Sequence, residues 1–374
     1  MQRHISYYLL ALVVFLVGFG ALFLATLSSL TSLNFFGNTN HYLFLHLAKI
    51  MVGAVLCFIF FKIPLHLLKK AAPIVLLINL LFLAAAFIPE FGDRIKGATR
   101  WFSVGGFAFQ PSEFLKITAI LYLAALISNG FSENSNKGWI HTTKKGYTNF
   151  VRVFVPFLVL LGIISVILIL QPDISTLGII AITLVALYFA GGTPVWHMLA
   201  LVLTGTMGSF LLIYFKTYRL ERLMVFLHPG IDPLGIGWQM KQSLIAMGSG
   251  GIFGKGIGMS AQKFDFLPEA MSDSVFAILG EETGIVGGTI LILSFLAFFY
   301  LGYKIAIRAT NKFAKLTAIG ITFLITFQAF LNITSTIGLF PLSGLPLPFL
   351  SYGGSHLITE LIGVGLLLNI SKNG

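Results

Sequence analysis

Ten long apolar runs leave this chain almost no choice of solvent. They cover approximately residues 7–30, 42–61, 71–88, 112–128, 151–170, 174–191, 195–215, 274–303, 313–338 and 354–370. Each is near the length a helix needs to cross a hydrocarbon core of about 30 Å. Hydrophobic residues fill 57% of the 374 positions and charged residues only 10%, a balance that excludes a soluble globular domain. The expected fold is an all-α polytopic membrane protein of about ten transmembrane helices, one domain over residues 1–374. Gln171-Pro172-Asp173 and Gly191-Gly192-Thr193-Pro194 read as short breaks between spans. Residues 7–30 are too long for a signal peptide and form the first span.

Lys and Arg near the span ends gather on one side, among them Arg3, Lys62, Lys144, Arg308 and Lys372. By the positive-inside rule that side is cytoplasmic. Both termini then lie inside, and the loops 89–111, 216–273 and 339–353 lie outside. Those outer loops still carry Arg94, Lys96, Arg100, Lys216, Arg219, Arg222, Lys241, Lys255 and Lys263. Topology alone does not explain them, and a basic outer face suits an anionic ligand. The competing reading pairs them with Glu90, Asp93, Glu221, Asp232, Asp265 and Glu269.

The segment from Phe264 to Gly284 holds five of the chain's 13 acidic residues, Asp265, Glu269, Asp273, Glu281 and Glu282. An ionisable side chain at the bilayer centre costs about 2.5–3.5 kcal/mol on insertion scales. These residues must therefore face protein, water or a substrate. The glycine-rich stretch Gly248–Gly258 invites a phosphate-loop reading, but Gly256 follows Lys255 where a Walker motif needs Ser or Thr. It reads better as a tight outer turn, with a pyrophosphate contact by Lys255 as the alternative.

Glu113 and Lys116 share a helix face three residues apart. They suit either a buried ion pair or a phosphate or sugar contact, with Arg100 beside them. Asp173 either caps the following helix or lines a cavity at a broken span. His356 and Glu360, four apart, suit a polar pair within the bundle. Eight histidines show no zinc-ligand spacing, and Cys57, the single cysteine, excludes an intrachain disulfide.

Several ordered strings carry a resemblance: Gly97-x-x-Arg100-Trp101, Gln110-Pro-Ser-Glu113-x-x-Lys116, Gln171-Pro-Asp173, Leu267-Pro-Glu269 with Asp273-x-x-Phe276-Ala277 and Gly280-Glu-Glu282, and Leu345-Pro-Leu-Pro348-x-x-Ser351-Tyr-Gly-Gly354. Across nearly its whole length the chain resembles the SEDS family (shape, elongation, division and sporulation), which includes RodA and FtsW. The wording around 230–251 is closer to FtsW. The resemblance implies a peptidoglycan glycosyltransferase of the bacterial cytoplasmic membrane. Such an enzyme polymerises lipid II, a disaccharide peptide on undecaprenyl pyrophosphate, at the outer face during cell division or elongation. It also implies a class B penicillin-binding protein as partner transpeptidase.

By match to the family's loop motif, Asp273 is the expected catalytic residue. The chain departs from that motif, with Met271-Ser272-Asp273-Ser274-Val275 in place of His-Thr-Asp-Phe-Ile. Ser175 replaces a common Gly, and His356 replaces a second Ser. Glycan polymerisation needs a base for the acceptor hydroxyl while a lipid pyrophosphate leaves, and a partly buried Asp suits that task. The expected substrate-binding residues are Arg100, Lys116, Glu113, Arg219, Arg222, Lys255, Asp173 and Ser351. A divalent cation, Mg or Mn, would offset charge on the leaving group, though no ligand set for it stands out. Neither nucleotide, haem nor nucleic acid is expected; membrane lipids are. The rival reading is a lipid-precursor flippase working through Glu113, Lys116, Asp173 and Glu360.

Overall fold

A computed structural model describes residues 2–88, 93–95, 98–104, 107–130, 150–214, 217–228, 235, 237–264 and 266–373. Helices stand at all ten apolar runs. They are α1 (Gln2–Phe36), α2 (His41–Lys62), α3 (Leu65–Ala85), α4 (Pro111–Gly130), α5 (Val155–Leu170), α6 (Ile174–Ala190), α7 (Val195–Tyr214), α10 (Val275–Arg308), α11 (Lys312–Thr336) and α12 (Ser355–Asn373). Two shorter helices, α8 (Thr217–Leu227) and α9 (Trp238–Gly250), lie within the long segment 216–273. Among the described residues, seven helices are long and apolar enough to cross a membrane, and α6 is a shorter apolar one.

The segment 89–111, read from sequence as a turn-rich loop, instead carries a three-stranded antiparallel meander. Its strands are β1 (Asp93–Ile95), β2 (Ala98–Val104) and β3 (Phe107–Phe109). Thr99, Trp101, Phe102 and Val104 give β2 its strand preference, and Phe102 pairs with Phe109 across the ladder. The two rings lie 5.7 Å apart and each meets Phe82 of α3, at 6.2 and 6.0 Å. Phe109 also meets Phe114 of α4 at 5.7 Å. This aromatic cluster fastens the sheet across α3 and α4 and thereby sets where Arg100 on β2 can reach.

The core is central and helical. In α4 and α11, 78% and 72% of the membrane-crossing window is buried, against 11% in α2, so the former are wrapped by protein and the latter faces lipid. α2 nevertheless packs closely on α12. A Cβ on Gly365 would overlap the Cys57 carbonyl, and one on Gly53 would overlap Leu361; small residues let two backbones approach this closely. Asn369 Nδ2 completes the contact by donating to the carbonyls of Phe60 and Ile63, at 2.8 and 2.6 Å.

α10 is interrupted at Gly284, whose φ of 65° lies in the left-handed region. Two helical rungs are lost there, and the segment 251–256 supplies both replacements. Ile285 N donates to Gly251 O at 3.0 Å and Val286 N to Ile252 O at 3.1 Å. The carbonyls they would have used accept instead from Lys255 N (2.9 Å, to Glu281) and Gly256 N (3.0 Å, to Glu282). A Cβ on Gly284 would overlap Ile252 and Gly254 backbone, so the position needs glycine for its φ and for its space.

The side chains of Glu281 and Glu282, each 1% exposed, finish the splice. Glu281 accepts from Lys255 Nζ at 2.6 Å, Ser249 Oγ at 3.3 Å, Ser260 Oγ, and the amides of Ala261 and Gln262. Glu282 accepts from the amides of Gly258 (2.8 Å) and Ser260 (3.3 Å), with Lys263 Nζ at 3.9 Å. These two acids hold a loop. Replacing Glu281 by Ala strands several donors, and thermal unfolding in detergent is expected to show a loss of about 2–4 kcal/mol. Lys255→Met leaves the hydroxyl and amide donors of Glu281 in place and should cost less than Glu281→Ala in the same measurement.

Candidate active site

The segment Pro268–Ser274 ends one residue before α10 and is fixed at its backbone. Glu269 takes a left-handed φ of 53°, which lets its carbonyl accept from both Ser272 N and Ser274 N at 3.1 Å. The carbonyls of Met271, Ser272 and Asp273 are taken one by one from other parts of the chain. Met271 O accepts from Tyr352 N at 2.7 Å, Ser272 O from Ser351 Oγ, and Asp273 O from Asn332 Nδ2 at 2.8 Å. Asn332 sits on α11, 1% exposed, and also donates to Leu345 O at 2.7 Å. Asp273 is therefore held in one place by α11 and by the buried segment 345–352.

Its half-buried side chain enters a polar pit of about 20 Å³, room for one water-sized group, lined with Arg222, Gln239, Ser243, Ser274, Ser335 and Ser343. Asp273 and Arg222 flank Gly344: a Cβ there would lie 3.5 Å from Asp273 Oδ2 and 4.0 Å from Arg222 Nη1. Arg222 is anchored on Leu342 O at 3.0 Å. Gln239 Nε2 donates to Ser274 Oγ at 3.2 Å, and Ser274 Oγ to Pro268 O at 3.0 Å. Beside the pit lies a cleft of about 300 Å³ whose walls include Val225, Phe226, Trp238, Met240 and Pro268, and which shares Arg222, Gln239 and Leu342 with the pit. A fixed carboxylate, a guanidinium and an apolar trough thus stand side by side.

The remaining residues expected from sequence to bind substrate are mostly occupied elsewhere. Lys116 Nζ bonds both oxygens of Glu113, at 2.9 and 2.8 Å, and Gln328 Oε1 at 3.0 Å. Gln328 passes the contact on to Pro346 O at 3.0 Å. With Lys116 3% and Glu113 6% exposed, the pair supports the segment 345–352 from beneath. Asp173 caps α6 through Thr176 N at 3.4 Å. It also accepts from Gln110 Nε2 and Ser112 Oγ, each at 3.3 Å, with Arg100 Nη1 at 3.8 Å.

Arg100 itself clamps the break before α6, donating from Nε to Gln171 O at 2.7 Å and from Nη2 to Pro172 O. Lys255 is committed to Glu281. Ser351 Oγ is wholly buried, donating to Ser272 O and accepting from Leu347 N at 2.8 Å. The Arg219 side chain lies outside the described residues. Of the eight, Arg222 alone lines the pit among the described side chains.

One expectation is corrected. His356 and Glu360 do not pair with each other: His356 Nε2 meets Ser351 O at 3.2 Å, and Glu360 Oε2 accepts from Phe349 N at 2.8 Å. Side chains on a helix lean toward its N-terminus, so both reach back to the segment that precedes α12. Among the described residues no three His, Cys, Asp or Glu side chains converge as ligands. Asn332, Gln239, Ser335 and Ser343 were given no role from sequence, since an uncharged amide or hydroxyl carries no signal of what it touches.

The family described as "Cell cycle protein" (FtsW, RodA, SpoVE) matches residues 7–374. A probable peptidoglycan glycosyltransferase FtsW from Trichlorobacter lovleyi is 36% identical over 363 residues, 97% of this chain and 92% of the relative. Stage V sporulation protein E of Bacillus subtilis is 37% identical over 321 residues, 86% and 84% of the two chains. Two solved structures share the fold at 24% identity. One is described as the structural coordination of polymerization and crosslinking by a peptidoglycan synthase complex, with a TM-score of 0.77 over 98% of this chain and 97% of that one. The other is the rod shape determining protein RodA of Thermus thermophilus, with a TM-score of 0.68 over 98% and 96%.

A structural ion pair and a ligand-binding pair respond differently to charge removal. Lys116→Met alone leaves Glu113 buried and unpaired, and should lower unfolding stability by about 3–5 kcal/mol. Adding Glu113→Gln removes the stranded charge and should restore most of the loss, read by thermal unfolding in detergent.

Proposed function

The chain belongs to the FtsW/RodA/SpoVE family, and from that premise we propose that this multi-pass membrane protein is a peptidoglycan glycosyltransferase of a bacterial cytoplasmic membrane, using Asp273 as its general base. The observation that carries the reading is the carboxylate pinned at the mouth of a polar pit beside an apolar cleft of about 300 Å³. Lipid II has that division in its own chemistry: a polar disaccharide and pyrophosphate on a long hydrocarbon.

In the proposed reaction Asp273 takes the proton from a sugar hydroxyl of the acceptor. The hydroxyl oxygen bonds to the donor's anomeric carbon as the bond to the pyrophosphate oxygen breaks, which inverts that centre. Arg222, across Gly344 from Asp273, is placed to offset negative charge building on the departing pyrophosphate. Asn332 acts as a positioning residue, since it fixes the Asp273 carbonyl rather than touching the reacting atoms. A class B penicillin-binding protein is the proposed partner that crosslinks the new strands. The flippase reading loses ground because Glu113 and Lys116 bind each other and Asp173 is held by Ser112 and Arg100.

Glycan synthesis from labelled lipid II, with the cognate transpeptidase present, tests the assignment. Asp273→Ala should lower polymer formation by at least about a hundredfold with unchanged thermal stability. Polymer at the wild-type rate from Asp273→Ala would remove the base assignment; no polymer from wild type, with lipid II crossing vesicle bilayers, would favour transport. Asn332→Leu keeps the branched shape of the side chain but frees two carbonyls, and should lower kcat by about tenfold with little change in KM.

A further inference from the structure

A second cationic cluster stands apart from the pit, on the lipid side of the bundle. Lys49 lies on α2, about 12 Å along the helix from His41 at 1.5 Å per residue. Among the described residues no carboxylate pairs with it. Its amine instead donates to the Tyr352 hydroxyl at 3.1 Å and sits 4.2 Å from the centre of that ring. His46, one turn earlier on α2 and wholly buried, has both ring nitrogens without a hydrogen-bond partner, although an imidazole always carries at least one N–H or lone pair to satisfy. Its ring is 6.0 Å from Tyr352, which Tyr42 meets edge-on at 5.3 Å. Three groups able to donate, Lys49 Nζ, the Tyr352 hydroxyl and an imidazole N–H, therefore gather where no acid balances them.

The cluster is built rather than incidental. Gly354 lets the lysine stem pass: a Cβ there would sit 3.3 Å from Lys49 Cε. Lys49 itself is half-buried. Leu45 and Val52, which share the Lys49 face of α2 by helical spacing, are 39% and 48% exposed, on a helix whose outward surface is apolar. A ligand reaching Lys49 along that face comes through the bilayer, carried on hydrocarbon.

We propose that Lys49, His46 and Tyr352 form a binding site for a phosphate group borne by a membrane lipid, separate from the pit that holds Asp273. The phosphate oxygens accept from the lysine amine, the tyrosine hydroxyl and the imidazole, and the lipid chain lies along α2. Tyr352 links the two places, since its ring faces α2 while its amide holds Met271 O at 2.7 Å, two residues from Asp273. The choice of a polyprenyl phosphate as a probe rests on the transferase reading; the site itself rests on the cluster.

Native mass spectrometry of the full chain in detergent tests this, with undecaprenyl phosphate, phosphatidylglycerol and inorganic phosphate as separate probes. Wild type should retain a phosphate-bearing lipid about tenfold better than Lys49→Met, with Lys49→Arg restoring retention and Tyr352→Phe giving an intermediate loss. Preference for undecaprenyl phosphate identifies the carrier lipid as the ligand, and equal retention of phosphatidylglycerol identifies a bilayer headgroup. Inorganic phosphate bound as well as either lipid, or Lys49→Met retaining lipid like wild type at matched thermal stability, overturns the proposal. Lys62→Met, at the opposite end of α2, serves as the control and should bind as wild type does. The retention readout does not depend on polymer synthesis, so failure of the transferase reading leaves it interpretable.

Discussion

Non-helical backbone buried in a membrane protein has to find a partner for each of its N–H and C=O groups, because hydrocarbon offers none. The segment 345–352 meets that constraint with side chains drawn from several helices. Leu345, Leu347, Phe349 and Leu350 are at most 3% exposed. Around them, Asn332 and Gln328 of α11 hold Leu345 O and Pro346 O, Glu360 of α12 holds Phe349 N, and Ser351 holds Leu347 N. The 268–274 segment is in turn hung from this buried one, through Tyr352 N and Ser351 Oγ. The position of Asp273 is thus set by polar contacts far from it in sequence, and the buried Glu113–Lys116 pair matters to the site because Gln328 carries it to Pro346.

The same accounting explains the basic outer face. Positive charges there were expected to await an anion, yet Lys255 and Lys263 neutralise Glu281 and Glu282, and Arg100 is spent on the carbonyls of Gln171 and Pro172 and on Asp173. Arg222 is different because its side chain is anchored on a carbonyl and lines a cavity. Lys49, inside an apolar run, drew no attention from a charge count made at span ends, although among the described residues no acid pairs with it.

Long apolar runs were legible because bilayer thickness imposes a length that the sequence must meet, and helices stand where the runs do. The ion pair Glu113–Lys116 was legible because helical spacing of three is a local rule. β1–β3 were hidden by their length and by the glycines around them, and they depend on Phe82 and Phe114 from flanking helices. Glu281 and Glu282 looked like chemistry and proved to be loop fasteners; a carboxylate that accepts backbone amides is written no differently from one that accepts a proton. The partners of Asp273 lie 59 residues away at Asn332, and that of Ser272 lies 79 away at Ser351. Separations of that kind are fixed by packing, which no local pattern records.

The splice at Gly284 has a mechanical meaning. Since the 251–256 backbone supplies the rungs that α10 lacks, α9 and the outer part of α10 are joined into one body. Gln239 and Ser243 on α9, and Asp273 and Ser274 before α10, belong to that body and form one wall of the cavity. The facing wall comes from α8, an 11-residue helix whose Leu220, Met224 and Leu227 are exposed. The two walls meet where Arg222 of α8 donates to Leu342 O, so the width of the cavity is set by where that one bond seats α8.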